Sequence, residues 1–274
     1  MKIRFMGTAA AEGFPAIFCK CENCMKARKL GGKNIRATTC TMIDDNILID
    51  FGPDILTHVH SHRLSLTDLG GIIITHSHED HFYMGDLDLA RSPFGYFERE
   101  DDIMLCGNHR IHKMFEAGIA KDNAYSFLEA KPFVPFKIGE YTIHPMLAEH
   151  GDEDEQCLIY AIERSGKTFL AGNDTNVFPD ETWQYLEGLK INAAALDATI
   201  GINPAKPPGQ SGHMNIKTVS AVKERMVHIG CADNDTVFIM NHFSHNGGLM
   251  HYEFEALGAG MGLIPAYDGY VLDI

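Results

Sequence analysis

The sequence has no long apolar run, and that absence removes one class of protein at once. Nothing in it approaches the ~18 consecutive apolar residues of a membrane-spanning helix. Its opening, MKIRFMGTAAAEG, has only a short apolar stretch that reads as a first strand, not as a signal peptide. Positive charge is scarce: 23 Lys and Arg against 37 Asp and Glu give a formal charge of −14. No Lys/Arg patch tracks phosphates, so neither nucleic acid nor a membrane is expected as a partner. Low-complexity linkers and fixed-period repeats are missing too, and one domain over 1–274 is expected. Seven cysteines, an odd number without an export signal, speak for reduced thiols over a disulfide framework. A cytoplasmic location is therefore expected.

Apolar residues make up 45% of the chain, ample for a buried core, and 15 histidines are many for this length. Short apolar runs alternate with helical patterns. Strands are expected at Ile3–Gly7, Thr39–Ile43, Ile47–Phe51, Gly71–Thr75, Ile103–Cys106, Tyr141–Leu147, Leu158–Ile162, Thr168–Ala171, Ala193–Leu196, Thr236–Met240 and Gly269–Leu272. Helices are expected at Pro53–His62, Asn108–Ala117, Pro179–Leu189, His213–His228 and Met250–Ala259. NILIDFGPD and KTFLAGNDTNVFPD echo each other as strand, acidic residue, turn and helix. The echo suggests two similar halves packed face to face, an α/β sandwich with helices outside.

The polar residues at the carboxyl ends of the apolar runs are informative. GIIITHSHEDH passes from a strand into His76, His78, Asp80 and His81; YTIHPMLAEHG ends at His150; FLAGNDT runs into Asp174, AALDAT into Asp197, and TVFIMNHFSH into His242 and His245. Functional groups in α/β sheets collect just past the carboxyl ends of strands. One sheet edge should therefore gather imidazoles and carboxylates. Residues i and i+2 do not share a helix face, so His76 and His78 converge only in an extended or turning chain. Asp80 and His81 then come from the next turn, an arrangement suited to two metal ions.

THSHEDH, with His150, Asp174 and His242 downstream, resembles the metallo-β-lactamase superfamily, as does LIDFG before it. The resemblance covers essentially the whole chain. It implies an α/β fold, an αββα four-layer sandwich of two mixed β-sheets with a dinuclear site between them. Carried over by position, it implies that His76, His78 and His150 hold one ion and Asp80, His81 and His242 the other, with Asp174 bridging. Asp50 corresponds to a buried carboxylate that orients a ligand imidazole.

CKCENC, at 19–24, resembles a narrower group, the PhnP-like cyclic phosphodiesterases of phosphonate breakdown. In that group a histidine three residues beyond the last active-site histidine completes a site with the three cysteines. Here that implies a structural zinc on Cys19, Cys21, Cys24 and His245, fixing the segment that carries His242. Cys40, Cys106, Cys157 and Cys231 are scattered and read as small core residues. HVHSH, with His58, His60 and His62, reads as a solvated helix surface. The same group places a Gly-His pair where GHMN stands, implying that His213 binds phosphate or protonates the leaving oxygen. A helix starting at His213 would favour an anion there.

The expected function is hydrolysis of a small phosphodiester, cyclic or open, by two divalent ions (Zn, Mn or Fe), with His213 and Asp80 as the catalytic residues. The segments 91–102 and 151–156 match no part of the resembled group and are candidates to line the pocket. Acidic residues there would repel a highly phosphorylated substrate. Three rivals stay open: a tRNA 3′-processing nuclease, a lactone or thioester hydrolase, and a PqqB-like cofactor-biosynthesis protein. A homodimer is also left open.

Overall fold

Short β-branched and aliphatic runs become strands throughout, and their alternation sends successive side chains to opposite faces. A computed structural model describes residues 1–96, 101–118, 124–151, 154–203 and 212–274. The first sheet contains β1 (Lys2–Gly7), β2 (Cys40–Ile43), β3 (Ile47–Ile49), β4 (Gly71–Ile73), β5 (Ile103–Gly107) and β6 (Tyr125–Glu129). The second contains β7 (Phe136–Ile138), β8 (Tyr141–Leu147), β9 (Leu158–Arg164), β10 (Lys167–Gly172), β11 (Ala193–Asp197), β12 (Val237–Asn241) and β13 (Ile264–Pro265). The last strand, β14 (Tyr270–Asp273), returns to the first sheet and pairs with β1.

The strand orders are β14-β1-β2-β3-β4-β5-β6 and β13-β12-β11-β10-β9-β8-β7. In the first sheet, pairing is antiparallel from β14 to β3 and parallel from β3 to β6. In the second it is antiparallel from β7 to β10 and parallel from β10 to β13. The echo in the sequence therefore has a structural counterpart. Asp50 comes after β3 and Asp174 after β10, the two strands at which pairing changes from antiparallel to parallel.

The helices are α1 (Glu22–Leu30), α2 (Ile55–His62), α3 (His109–Gly118), α4 (Asp180–Leu186), α5 (Ile216–His228) and α6 (His251–Ala259). Ile47, Ile49 and Ile73 point between the sheets, where they meet Leu158, Tyr160, Phe169 and Ile239. Leu48 and Ile72 point outward, with Ile55 of α2 and Ile111 of α3. On the other outer face Ile159, Leu170 and Leu196 pack with Trp183 of α4, Val219 and Met226 of α5 and Phe254 of α6. These are two mixed sheets flanked by helices, the four layers anticipated. No helix among the described residues is long and apolar enough to cross a membrane.

The expected elements form, with shifted ends, and others were not anticipated. β7 and β13 are too short to show a period, and β6 has no alternation of burial. Helix α1 carries mostly polar residues, and its amino end is capped by the Cys21 thiol, which accepts from the Cys24 N–H at 3.4 Å. The solvated surface expected for HVHSH is wrong for His58. That side chain is buried, and its Nε2 bonds the Thr38 carbonyl at 3.1 Å, while His62 Nε2 bonds the Met6 carbonyl at 3.1 Å. Gly7 makes the space: a Cβ there would lie 2.5 Å from His58 Cε1.

Candidate metal centre

The candidate site residues stand just past, or at, strand ends of the same sense: His76–His81 after β4, His150 after β8, Asp174 after β10, Asp197 ending β11 and His242 after β12. Three residues at these ends adopt left-handed backbone, Asp50 (φ 65°), Asp174 (φ 52°) and His242 (φ 60°). Such conformations cost non-glycine residues roughly 1–2 kcal/mol each and concentrate at functional sites.

Besides a group with Asp197, His213 and His242, two donor groups share Asp174. His76, His78, His150 and Asp174 form one, and Asp80, His81, His242 and Asp174 the other. In the first, His76 Nε2 lies 2.9 Å from His78 Nδ1, and His150 Nε2 lies 3.4 Å from the same atom. In the second, His81 Nε2 lies 3.1 Å from Asp80 Oδ2. Asp174 Oδ2 reaches into both groups, 3.3 Å from His76 Nε2 and 2.8 Å from His81 Nε2. The structure thus brings together all seven residues anticipated for the dinuclear site.

The opposite ring nitrogens are occupied, which fixes which nitrogen faces the centre. His81 Nδ1 donates to Asp50 Oδ2 at 2.7 Å, and His150 Nδ1 donates to the Gly212 carbonyl at 3.0 Å. The Thr199 hydroxyl donates to the His242 carbonyl at 2.7 Å, so it accepts from His242 Nδ1, also at 2.7 Å. Thr75 works likewise, donating to Asp50 and accepting from His76 Nδ1 at 3.0 Å. Each of these imidazoles therefore turns its Nε2 toward the centre. His242 Nε2 and Asp174 Oδ1 are buried with no hydrogen-bond partner among the described residues. Orphaned buried acceptors are costly unless something positive binds them. The residues fit a pair of divalent cations.

Electrostatics say the same. Burial opposes ionisation of Asp174, yet His242 and His81 hold it well below the usual carboxylate range. For Asp80 burial is likewise outweighed, chiefly by His81. Burial also opposes a charge on His81, but Asp80, Asp50 and Asp174 push it well above the usual imidazole range. A proton on His81 balances three buried carboxylates, and a bound cation would take over that role and release it. His76 is pushed down to about 4 by burial and by the charge of His81.

The cysteine stretch is brought to the other end of the chain. Cys19, Cys21, Cys24 and His245 have ligand atoms within 4.8 Å of one another. His245 Nδ1 lies 3.3 Å from Cys21 Sγ and 3.6 Å from Cys19 Sγ, and Asn23 donates to the His245 carbonyl at 2.9 Å. None of the seven cysteines is joined in a disulfide. The other four, Cys40, Cys106, Cys157 and Cys231, are buried, as anticipated.

Two anticipated details differ. His213 does not start a helix: α5 begins at Ile216 with Asn215 as its cap, so a helix terminus does not place an anion at His213. Instead His213 Nδ1 lies 2.9 Å from Asp197 Oδ2 and 3.2 Å from Asp174 Oδ1. In sequence Asp197 reads only as a strand-end acid; its second oxygen accepts the N–H groups of Thr199 and Met214. The segments 91–102 and 151–156 are described apart from 97–100 and 152–153, and they are not equivalent. Gly95 and Tyr96 line a separate apolar cavity beside α2, whereas Glu155 bonds the histidine loop itself at Ser77.

The profile described as Beta-lactamase superfamily domain matches residues 45–242. A curated octanoyltransferase from Porphyromonas gingivalis (strain ATCC BAA-308 / W83) is 26% identical over 164 residues, 55% of this chain. The match spans 31% of that relative's length. Among solved structures, a diphosphatase from the PhnP family has 18% identity and a TM-score of 0.75, covering 100% of this chain and 97% of its own. Zn²⁺-bound PqqB from Methylobacterium extorquens has 16% identity, a TM-score of 0.76 and coverage of 100% on both sides. The short form of human tRNase Z has 15% identity, a TM-score of 0.68 and coverage of 100% and 99%. These likenesses are of fold.

Proposed function

The chain belongs to the β-lactamase superfamily, generally metal-dependent hydrolases, and from that premise we propose a dinuclear phosphodiesterase acting on a small phosphodiester. One observation carries the choice of reaction: the Asp197–His213 pair, set 3.2 Å from the Asp174 carboxylate that joins the two donor groups. Asp197 accepts the Nδ1 proton and so assigns proton exchange to Nε2, as a positioned acid requires. An alkoxide leaving phosphorus needs such a proton.

On this reading His76, His78 and His150 would hold one divalent ion and Asp80, His81 and His242 the other, with Asp174 available to both. Bound there, the ions supply positive charge for the phosphoryl oxygens and acidify a water at neutral pH. Asp80 stays ionised and orients the attacking water, while His213 delivers the proton to the departing oxygen. Cys19, Cys21, Cys24 and His245 hold a structural zinc, since a three-thiolate, one-imidazole set favours that ion. The charge of −14 supports a small substrate over RNA. The clip supports the PhnP-like reading over other ester hydrolases, and the complete donor set supports an enzyme over a PqqB-like role.

A carbon-ester substrate is the second reading, supported by the curated relative named for octanoyl transfer. Turnover of alkyl and aryl phosphodiesters, lactones and acyl thioesters by metal-loaded protein decides between them. Phosphodiester hydrolysis abolished in His76→Ala is the expected result; turnover confined to the carbon esters would overturn it.

A further inference from the structure

We propose that His109, His112 and Glu129 form a separate, exchangeable site for a divalent transition-metal ion at the edge of the first sheet. The two histidines stand three apart in the first turns of α3 and so share one face, and Glu129 ends β6, the edge strand against which α3 packs. His109 Nδ1 and His112 Nδ1 both address Glu129 Oε2, at 3.1 and 3.0 Å. All three donor atoms fall within 4.8 Å of one another. Zinc–ligand bonds of ~2.0–2.1 Å in a tetrahedron set donors about 3.3–3.4 Å apart. The two imidazole–carboxylate distances need to open by only a few tenths of an ångström.

The rings are already oriented. His112 stacks on Phe127 with centroids 4.5 Å apart and planes 6° from parallel, and its Nε2 faces Glu116 at 3.7 Å. A carboxylate on the far nitrogen is a common support for a ligand imidazole. The His109 side chain is 65% exposed, so solvent can complete the coordination. Hydrogen bonds from His112 and His109 hold Glu129 below its ordinary range, in the form that binds metal.

The donor set decides the occupant. Two imidazoles and one carboxylate suit Zn²⁺, Cu²⁺ or Ni²⁺ and not the oxygen-seeking Mg²⁺ or Ca²⁺. The amino end of α3 and the nearby Arg110 and Lys113 disfavour a cation. Occupancy is therefore weaker here than in the two buried clusters, and the ion exchanges. The site is also connected to the metal centre. Asn108 caps α3 by accepting the Ile111 N–H at 3.0 Å, and its amide donates at 2.8 Å to Glu155, which braces Ser77.

Calorimetric titration of Zn²⁺ into the protein carrying its tightly held metals tests the proposal, with Mg²⁺ in parallel and His112→Ala and Glu129→Gln as variants. The wild type should take up one further zinc equivalent and no comparable magnesium. Each variant should bind that equivalent at least ~10-fold more weakly while keeping the tight metals by elemental analysis. Electron paramagnetic resonance of added Cu²⁺ should show two nitrogen ligands in the wild type and one in His112→Ala. No additional uptake by the wild type, or identical uptake by wild type and both variants, would overturn it.

Discussion

Glu155 grips Ser77 at both polar groups, one carboxylate oxygen accepting the backbone N–H at 2.9 Å and the other the hydroxyl at 2.6 Å. Ser77 lies between His76 and His78, so this contact braces the turn that presents both imidazoles. Asn108 adds a third hydrogen bond at 2.8 Å, and the Glu155 side chain is only 3% exposed. Charge-assisted bonds out of water are worth more than surface ones. An acidic loop that reads in sequence as repulsive decoration thus sends one carboxylate inward to hold the metal centre.

Removing that carboxylate should loosen metal before it unfolds the chain. Glu155→Ala takes the acceptor from the Ser77 N–H and hydroxyl and leaves the Asn108 amide only its bond to the Gln156 carbonyl. Loss of such an outer support typically costs about 10–100-fold in metal affinity. Glu155→Gln keeps an acceptor for Ser77 and should fall between alanine and wild type. Competition with a graded chelator, alongside kcat/KM, checks the order; equal metal retention in all three proteins would contradict it.

The cysteine clip should act through stability. It joins the loop before α1 to the segment just after His242, and a structural zinc contributes its binding free energy to folding. Cys21→Ser leaves a hydroxyl to accept the Cys24 N–H and cap α1, so the loss falls on the metal clip. A fall in melting temperature of at least ~5 °C is expected, a shift of about 2 kcal/mol for a chain of this size. One equivalent of zinc should go with it, while folded protein keeps most of its turnover. Unchanged melting and unchanged zinc content together would remove the clip from the account.

His58 should shape the acid side of the stability curve. Burial pushes its imidazole from the ordinary 6.5 down to about 4, because the neutral ring is the one that fits between Gly7 and Thr38. The folded value is depressed, so the stabilising contribution is complete above about pH 6.5 and is lost as pH falls toward 4. Over that window the change amounts to up to roughly 3 kcal/mol. His58→Gln keeps a donor for the Thr38 carbonyl without titrating. It should be less stable at pH 7.5 yet lose less on acidification; parallel denaturation curves from pH 7.5 to 4.5 would contradict this.

The histidine loop was legible because its chemistry is local: His76, His78, Asp80 and His81 lie in one turn after an unmistakable buried strand. The pairing of Asp50 with Asp174 was visible as an echo, since both come after the strand where sheet pairing changes sense. His245 was readable as the fourth member of the clip only through resemblance, because the 226 residues separating it from Cys19 erase any local signal. Asp197 and Glu155 were in view, but their partners were not. Each acts on a residue brought near by tertiary packing, and no period or spacing encodes that. His58 was misread for the same reason: the pocket that buries it is made by a missing side chain at Gly7 in another element.

The claim that this centre cleaves phosphodiesters with His213 as the acid is tested most directly by the leaving-group dependence of His213→Ala. A positioned acid is worth ~10²–10⁴ in rate when the departing oxygen needs a proton, and little when an activated aryl oxide leaves unaided. Paired kinetics on an alkyl phosphodiester and a nitrophenyl phosphodiester, with metal content matched, should show the first collapse by that factor and the second nearly unchanged. Equal losses on both substrates would contradict the acid role and leave His213 as a phosphate ligand alone.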